Sequence, residues 1–261
     1  MHVMVDGAKI DAAIDGRGDP VVLLAGFPMT REIWDETVRD LSAESRVIRI
    51  DLRGTGRSDV TGGPYLMEAL ASDVAVVLDA LGIERAAIVG HSLGGYVAMA
   101  FARMYVERVT RLGLVCSRLD ADGSDTTRAR ETLANQIERE NSMNAVAETY
   151  IPRLFSANSA SRVPPAVERV RSMIATMQVR GAAALLRGMA MRVTSRDFAA
   201  DLDVPVYIAG GSDDEIVPPP EIRDIAAAFP NARYDLFAQS AHVPMLEEPG
   251  PFASALRDFL R

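Results

Sequence analysis

The sequence predicts an α/β fold in which a mostly parallel, doubly wound sheet is covered by helices and interrupted by a helical insertion. Short runs rich in Val, Ile and Leu recur along the chain, and helix-like stretches alternate with them. Runs that are apolar at every position suit strands buried on both faces of a sheet. Alternation of such strands with helices favours parallel pairing through right-handed crossovers. The alternation stops between residues 118 and 200, which predicts the insertion.

The predicted elements follow one another as this fold class requires. A hairpin of Val3–Val5 and Lys9–Ile14 comes first, with Asp6-Gly7 as its turn. The later predicted strands are Val21–Ala25, Val47–Ile50, Ala86–Val89, Leu112–Val115, Val204–Ile208 and Arg233–Phe237. The predicted helices between and after them are Arg31–Leu41, Tyr65–Leu81, Leu93–Tyr105, Glu221–Ala228 and Phe252–Leu260. Gly82 directly follows the second helix, where a C-terminal cap is expected.

The insertion contains helical patterns and no strand pattern. Its predicted helices are Arg128–Arg139, Met143–Leu154, Val167–Val179 and Ala182–Met191. In open α/β sheets, ligands bind at the carboxyl ends of the strands, so we expect residues 118–200 to form a lid over that edge. We predict one domain over residues 1–261 with the lid inserted in it. A separate globular domain is the alternative, but so short a segment with few aromatic residues would form a thin core.

Composition excludes several classes of function. The net charge of −8 argues against a nucleic-acid partner, which would require a surplus of Lys and Arg. The single cysteine, Cys116, cannot form an internal disulfide, and neither a signal peptide nor a membrane span is visible. We therefore expect a soluble, cytoplasmic protein. No metal-ligand spacing and no redox-cofactor fingerprint occurs, so no cofactor is expected.

The strongest chemical signal is a serine between a predicted strand and a predicted helix. Gly90 and Gly94 lie two residues before and two residues after Ser92. This is the G-x-S-x-G pattern of a nucleophile elbow, in which a sharp turn exposes the serine hydroxyl at the edge of the sheet. Only small residues fit beside such a strained turn. Ser92 is therefore the candidate nucleophile.

A nucleophilic serine needs a base and a carboxylate that orients the base. The chain has three histidines. His2 lies at the terminus, and His91 adjoins Ser92 but is expected to point off the other side of the elbow. His242 follows the last predicted strand and is the candidate base. The acids Asp213, Asp214 and Glu215 follow the preceding strand, and periodicity alone cannot choose among them.

At these motifs the sequence resembles the α/β-hydrolase superfamily. The resemblance is to its small-lidded branch, which includes esterases, 3-oxoadipate enol-lactonases and cofactor-free haloperoxidases, and it covers roughly residues 18–117 and 202–261. The matching segments are Ala25–Pro28, Asp51–Ser58, Gly90–Gly95, Gly211–Pro218 and His242–Pro244 followed by Glu247 and Pro249.

The resemblance implies roles for further residues. In that family the acid lies three residues after the loop glycine and four before the proline, and Gly211 and Pro218 both select Asp214. Asp213, or Asp120 after an earlier strand, is the alternative. The resemblance also implies an oxyanion hole formed by the backbone N–H groups of Phe27 and Leu93. The sequence departs from the family at position 25, where alanine replaces a common histidine.

The predicted function is hydrolysis of a small carboxylic ester or lactone through an acyl-enzyme on Ser92, with Asp214 and His242 completing the triad. A perhydrolase or haloperoxidase-like reaction, a carbon–carbon bond hydrolase and a ligand-sensing signalling receptor share the scaffold and are the alternatives. The candidate substrate-binding side chains, each of which could instead pack in the core, are Phe27, Trp34, Met173, Met177 and Met189.

Overall fold

A computed structural model describes residues 1–261 and contains one eight-stranded sheet. The strands are β1 His2–Val5, β2 Ala8–Asp15, β3 Asp19–Leu24, β4 Ser45–Ile50, β5 Ala86–His91, β6 Val109–Val115, β7 Val206–Gly211 and β8 Ala232–Phe237. Their order in the sheet is β1-β2-β4-β3-β5-β6-β7-β8. The pairs β1–β2 and β2–β4 are antiparallel, and all other pairs are parallel. The prediction of a mostly parallel α/β sheet is confirmed.

Twelve α-helices accompany the sheet. They are α1 Asp35–Leu41, α2 Met67–Ala80, α3 Leu93–Met104, α4 Ser124–Glu140, α5 Asn144–Leu154, α6 Ser159–Arg162, α7 Pro164–Thr176, α8 Val179–Ala190, α9 Arg196–Asp201, α10 Pro219–Ala227, α11 Pro244–Glu247 and α12 Pro249–Leu260. Outside the insertion, α1 packs on α12 and α2 packs on α3. Gly82 has a φ of +64° just after α2, as the predicted cap requires. None of the helices combines the length and the apolar character that crossing a membrane demands.

Strand β7 differs from its prediction, because it continues to Gly211 instead of ending at Ile208. Its first residues pair with Leu112–Val115 of β6, while Gly210 and Gly211 continue the ladder against β8. The two glycines give no apolar signal, so sequence periodicity ends the strand too early. The loop that carries the acidic run therefore begins directly at the carboxyl edge of the sheet.

This edge gathers the segments that the sequence analysis singled out. The register pairs Leu24 with Gly90 and His91 with Val115, so β3, β5 and β6 end side by side. Strands β7 and β8 end together at Gly211 and Phe237. Parallel strands direct all their carboxyl ends to one side, which brings the following loops within reach of one another.

The insertion between β6 and β7 consists of helices α4 to α9 and contains no strand. Its buried side chains belong to the same apolar cluster as those of the sheet. Helix α8 lies backbone-to-backbone on the loop before α2, where the Tyr65 N–H donates to the Ala184 carbonyl at 3.1 Å. The continuity of the core favours one domain with an insertion.

Two glycines of α8 permit this docking. A Cβ at Gly181 would overlap the carbonyl oxygen of Gly54, and one at Gly188 would overlap the carbonyl oxygen of Tyr65. The neighbouring atoms are backbone, which cannot rotate away as a side chain can. The close approach of α8 to the core therefore depends on both positions remaining glycine.

We predict that Gly188→Ala lowers the free energy of unfolding by about 1–3 kcal/mol, because the added methyl group forces the helix away from the core. In an ordinary helix the same change would stabilise. Urea denaturation measures the effect. Gly62→Ala is the matched control, because nothing lies within 4 Å of a Cβ at Gly62. Equal effects of the two substitutions would contradict the docking role.

Candidate active site

Ser92 occupies the turn between β5 and α3 in a backbone conformation that non-glycine residues rarely adopt. Its φ is +50° and its ψ is −115°. The surroundings impose this conformation: the Ser92 N–H donates to the Val115 carbonyl at 2.8 Å. The Ser92 carbonyl accepts from the Gly95 N–H at 2.9 Å and the Ser117 hydroxyl at 2.8 Å. Strain of this kind persists only where neighbouring structure over-determines it, and it is typical of functional sites.

Three glycines make room for the turn. A Cβ at Gly90 would overlap the carbonyl of Gly94, and a Cβ at Gly94 would overlap the carbonyl of Leu24. A Cβ at Gly26, on the loop after β3, would lie 2.9 Å from the Cβ of Ser92. The crowding explains in physical terms why the residues two before and two after the serine carry no side chain.

His242 and Asp214 form a buried pair. The Nδ1 atom of His242 lies 2.8 Å from Oδ2 of Asp214. The other carboxylate oxygen of Asp214 accepts the N–H groups of Ile216 at 2.8 Å and Val217 at 2.9 Å. Burial by itself would raise the pKa of the Asp214 carboxyl, but His242 and the two amides outweigh it and hold that pKa below its usual value. Asp214 is therefore ionised and fixes the orientation of the imidazole.

The other candidate acids lie elsewhere. The Asp213 side chain is exposed, and only its backbone N–H is engaged, with the Ser240 carbonyl at 2.9 Å. Glu215 is exposed and lines the same cavity as Ser92 and His242, but it forms no hydrogen bond with the imidazole. Asp120 pairs with Arg196 at 2.6 Å on the surface. Of the acids that the sequence left open, Asp214 alone contacts the imidazole.

A cavity of about 790 Å³ opens over Ser92 and His242. Phe27, from the loop after β3, lines it beside them. The opposite wall comes from the insertion, through residues of α4 and α5 and Met189 of α8. The volume suits a small organic ligand, and the convergence of a few polar groups on it is typical of a binding site.

Two backbone N–H groups near Ser92 have no acceptor. Phe27 lies outside the helices and strands, and its N–H donates to no atom of the chain. Leu93 is the first residue of α3, where the N–H has no intrahelical partner. The positive end of the helix dipole adds to the attraction for a negative charge at this place. These are the two groups that the resemblance implies for an oxyanion hole.

His91 has a structural role that sequence reasoning missed. Its ring is fully buried, and its Nε2–H donates to the backbone carbonyl of His242 at 2.7 Å. Nδ1 has no hydrogen-bond partner, and it lies where a Cβ at Gly26 would collide with it. Burial, followed by the proximity of His242, lowers the pKa of His91 to about 3. The neutral ring thus links the elbow directly to the loop that carries His242.

Glu247 fixes the same loop from the other side. Its carboxylate accepts the N–H of Ala241 at 2.7 Å and, from the insertion, the N–H of Ser156 at 2.8 Å. The His242 N–H donates to the carbonyl of Leu154, the last residue of α5, at 3.0 Å. Burial of the Glu247 carboxylate is thus offset by several donors. The imidazole is held by contacts from the sheet and from the insertion together.

His91, Cys116 and His242 have potential metal-ligating atoms within 4.8 Å of one another. Two of the ring nitrogens are already engaged, by Asp214 and by the His242 carbonyl. Burial raises the pKa of the Cys116 thiol well above its usual value, whereas metal binding requires the thiolate. The cluster suits a neutral thiol packed behind the imidazole better than it suits a cation.

Three candidate substrate-binding residues lie away from this cavity. Trp34 is fully buried and packs on Phe252, with 6.1 Å between the ring centroids. Met173 is buried within α7, and Met177 lines a different depression of about 520 Å³ beside α7 and α8. These three residues pack within the fold, which is the alternative that the sequence left open. For the two methionines, helical spacing predicts that a face is buried but not which part of the protein covers it. Of the five candidates, only Phe27 and Met189 line the cavity.

Comparison with known proteins agrees with this geometry. A family model described as the alpha/beta hydrolase fold matches residues 19–249. The pimeloyl-acyl-carrier-protein methyl ester esterase of Vibrio atlanticus is 30% identical over 258 residues, which cover 94% of this chain and 96% of that protein.

Two solved structures are closely similar over the whole chain. A thermophilic esterase from Thermogutta terrifontis, solved with malate bound, superposes with a TM-score of 0.97 at 34% identity and covers 100% of this chain and 98% of that chain. An enol-lactonase from Burkholderia xenovorans superposes with a TM-score of 0.92 at 28% identity and covers 100% and 99%. The similarity includes the insertion as well as the sheet.

We predict that His91 makes stability fall in acid. Above pH 6.5 the His91 ring is mostly neutral in both the folded and the unfolded chain. Below pH 6.5 the ring is protonated in the unfolded chain but stays neutral in the folded chain down to about pH 3, so the unfolded state is favoured as the pH falls. Between pH 7 and pH 5 the wild type should therefore lose about 2 kcal/mol more unfolding free energy than His91→Gln, whose amide can still reach the carbonyl. Denaturation at both pH values measures the difference. Parallel losses in the two proteins would show that His91 is not held neutral.

Proposed function

The chain belongs to the alpha/beta hydrolase fold family, and we propose on that premise that it hydrolyses a small carboxylic ester or lactone through an acyl-enzyme on Ser92. The single observation that carries the proposal is the buried His242–Asp214 pair at the cavity that also contains Ser92. Ester and lactone hydrolysis is the activity named for the Vibrio, Thermogutta and Burkholderia proteins. The helices of residues 118–200 act as the lid of this site.

Asp214 determines which nitrogen of His242 can act as the base. Because Nδ1–H donates to the Asp214 carboxylate, the neutral imidazole has its lone pair on Nε2. Nε2 removes the proton of the Ser92 hydroxyl as Oγ attacks the substrate carbonyl carbon. Asp214 stays ionised and stabilises the imidazolium that results.

The oxyanion formed in this attack accepts hydrogen bonds from the N–H groups of Phe27 and Leu93. Neither group has an acceptor to relinquish, so the donors are preorganised and incur little reorganisation cost. Collapse of the tetrahedral intermediate breaks the bond to the leaving oxygen, which takes the proton from His242. The acyl group remains on Oγ of Ser92.

Water completes the cycle. His242 Nε2 removes a proton from a water molecule, whose oxygen attacks the acyl carbon to form a second oxyanion at the same two N–H groups. Collapse of this intermediate breaks the bond to Oγ, which takes the proton back, and the carboxylic acid is released. A ligand-sensing receptor of the same fold would instead turn over slowly, so steady-state turnover separates the two functions.

The first kinetic prediction concerns the nucleophile. Ser92→Ala should fold with an unchanged circular dichroism spectrum and lower kcat on p-nitrophenyl acetate by about 10⁴-fold or more, because no atom remains to form the acyl-enzyme. Ser72→Ala is the matched control: it removes a hydroxyl of α2 that donates to the Glu68 carbonyl and lines no part of the cavity, so kcat should change by about twofold at most. Retention of more than a few per cent of activity in Ser92→Ala would sink the acyl-enzyme mechanism.

The second kinetic prediction compares adjacent acids. Asp214→Asn should lower kcat by about 10⁴-fold, because an amide favours the wrong tautomer of His242. Asp213→Asn removes the same charge one residue earlier, at an exposed position, and should change kcat by about twofold at most. Equal losses would mean that the charge of the loop matters and the bond to the imidazole does not.

A further inference from the structure

The wall of the cavity opposite Ser92 is rich in arginine. Four arginines line the cavity, Arg118, Arg128, Arg130 and Arg153, and two acids, Asp125 and Glu215, accompany them. The whole chain carries a net charge of −8, so this surplus of cationic groups runs against its overall balance. Which arginines are free to meet a ligand depends on their partners within the chain.

Two of the four have acidic partners within the chain. Arg118 pairs with Glu221, with 2.6 Å between Nε and Oε1. Arg128 faces Asp125 at 3.8 Å, one turn away on α4. The remaining two arginines that line the cavity are Arg130 and Arg153.

Arg130 shares its only carboxylate with another arginine. The side chain of Asp122 is buried, and its carboxylate lies 2.6 Å from Arg130 on one oxygen and 2.6 Å from Arg192 on the other. One negative charge thus faces two positive ones, and the cluster retains a net positive charge. Arg192 has a further neighbour, because its guanidinium stacks at 4.1 Å from the centroid of the Tyr96 ring, which also lines the cavity.

The Arg130 guanidinium also has hydrogen-bonding capacity to spare. A guanidinium has five N–H donors. Its Nε and Nη2 donate to Asp122, and Nη1 contacts only the Met189 sulfur, at 3.3 Å. A thioether is a weak acceptor, so at least one strong donor on the cavity side has no comparable partner.

Arg153 has no partner at all within the chain. It forms neither an ion pair nor a side-chain hydrogen bond, although it lines the same cavity from α5. It lies three residues after Tyr150, which places the two side chains on one face of the helix. The ring of Tyr150 packs edge-on against Phe27, with 5.2 Å between the centroids. The unpaired charge of Arg153 therefore belongs to the part of the cavity wall that contacts Phe27.

The Tyr150 hydroxyl adds a neutral donor. It has no hydrogen-bond partner in the chain, and it lies close enough to Arg130 and Arg153 for both charges to affect it. Burial is the largest influence and raises the pKa of Tyr150, while the two arginines act in the opposite direction. The phenol is thus protonated at neutral pH and can donate to an anion.

We propose that Arg153, Arg130 and Tyr150 form a carboxylate-binding subsite, so that the substrate is an ester or lactone that carries a free carboxylate. This inference rests on the proposed function for the identity of the reaction, but the subsite is defined by the three side chains alone. Planar guanidinium groups match a carboxylate with two parallel hydrogen bonds. Arg153 contributes one positive charge and the cluster of Arg130, Arg192 and Asp122 contributes another, while the carboxylate of Glu215 removes one. The wall thus has a surplus of one positive charge, which suits a monoanionic carboxylate better than a phosphate dianion.

Two esters that differ only in the carboxylate test the subsite. Mono-p-nitrophenyl glutarate and p-nitrophenyl valerate have acyl chains of equal length and the same leaving group. In the wild type we expect kcat/KM to favour the glutarate ester by about tenfold or more, since a charge-assisted hydrogen bond of about 1.5–3 kcal/mol corresponds to about 10–100-fold. Arg153→Gln should remove most of that preference, because kcat/KM should fall by about tenfold or more further for the glutarate ester than for the valerate ester.

The matched control is Arg139→Gln. Arg139 lies on α4, is well exposed and does not line the cavity, yet its loss changes the net charge by the same amount. It should leave the preference intact. Arg153→Lys should restore part of the preference, because the charge returns without the planar pair of donors. If Arg139→Gln abolishes the preference as fully as Arg153→Gln does, a general field is responsible and the subsite is refuted.

Calorimetric titration with the half-amide of glutaric acid, which carries one carboxylate, and with inorganic phosphate tests the subsite without any turnover. The half-amide should bind the wild type and lose about tenfold or more in affinity in Arg153→Gln. If neither ester is hydrolysed but the half-amide binds in this Arg153-dependent way, the subsite stands and the proposed reaction fails. If both esters are hydrolysed equally, or the half-amide does not bind, or phosphate binds more tightly than the half-amide, the carboxylate subsite is overturned while Ser92-dependent hydrolysis can still stand.

Discussion

The left-handed backbone of Ser92 is the constraint on which the rest of the site depends. Strand β5 must stop and α3 must start within one residue, and the hydrogen bonds that Ser92 forms with Val115, Gly95 and Ser117 hold it in an unfavourable conformation. The strain, of order 1–3 kcal/mol, is borne by the surrounding sheet. This conformation directs the Ser92 hydroxyl beyond the edge of the sheet, beside the N–H of Leu93 at the start of α3. The absence of side chains at Gly26, Gly90 and Gly94 is a direct consequence.

His242 is the second residue whose position is fixed, and three separate parts of the chain hold it. The His91 ring donates to the His242 backbone carbonyl, and Asp214 accepts from the His242 ring. The carbonyl of Leu154, in the insertion, accepts the backbone N–H of His242. The insertion therefore contributes no member of the proposed triad, yet it helps to position His242. Substitutions at the end of α5 are expected to lower activity by displacing His242 through this backbone contact. The insertion would then affect catalysis as well as substrate specificity.

The sequence is most informative where the backbone dictates the residue. Gly90 and Gly94 predict the turn, whereas the choice of Asp214 from three adjacent acids depends on the family resemblance and its spacing from Gly211 to Pro218. Local patterns do not record contacts between distant elements, such as that of Trp34 with α12 or that of His91 with the His242 loop. The arginines of α4 and α5 look like an ordinary solvated helix face in the sequence. Only the packing of the insertion over the sheet edge turns that face towards Ser92.

The central claim is that Ser92, Phe27 and Leu93 form one preorganised centre for attack and charge stabilisation. A crystal structure of the protein after reaction with a p-nitrophenyl alkylphosphonate tests this most directly, because the adduct mimics the tetrahedral intermediate. The account predicts phosphorus bonded to Oγ of Ser92 and one phosphoryl oxygen at about 2.7–3.1 Å from the backbone nitrogens of both Phe27 and Leu93. Phosphorus on another residue, or a phosphoryl oxygen directed away from these two N–H groups, would contradict it.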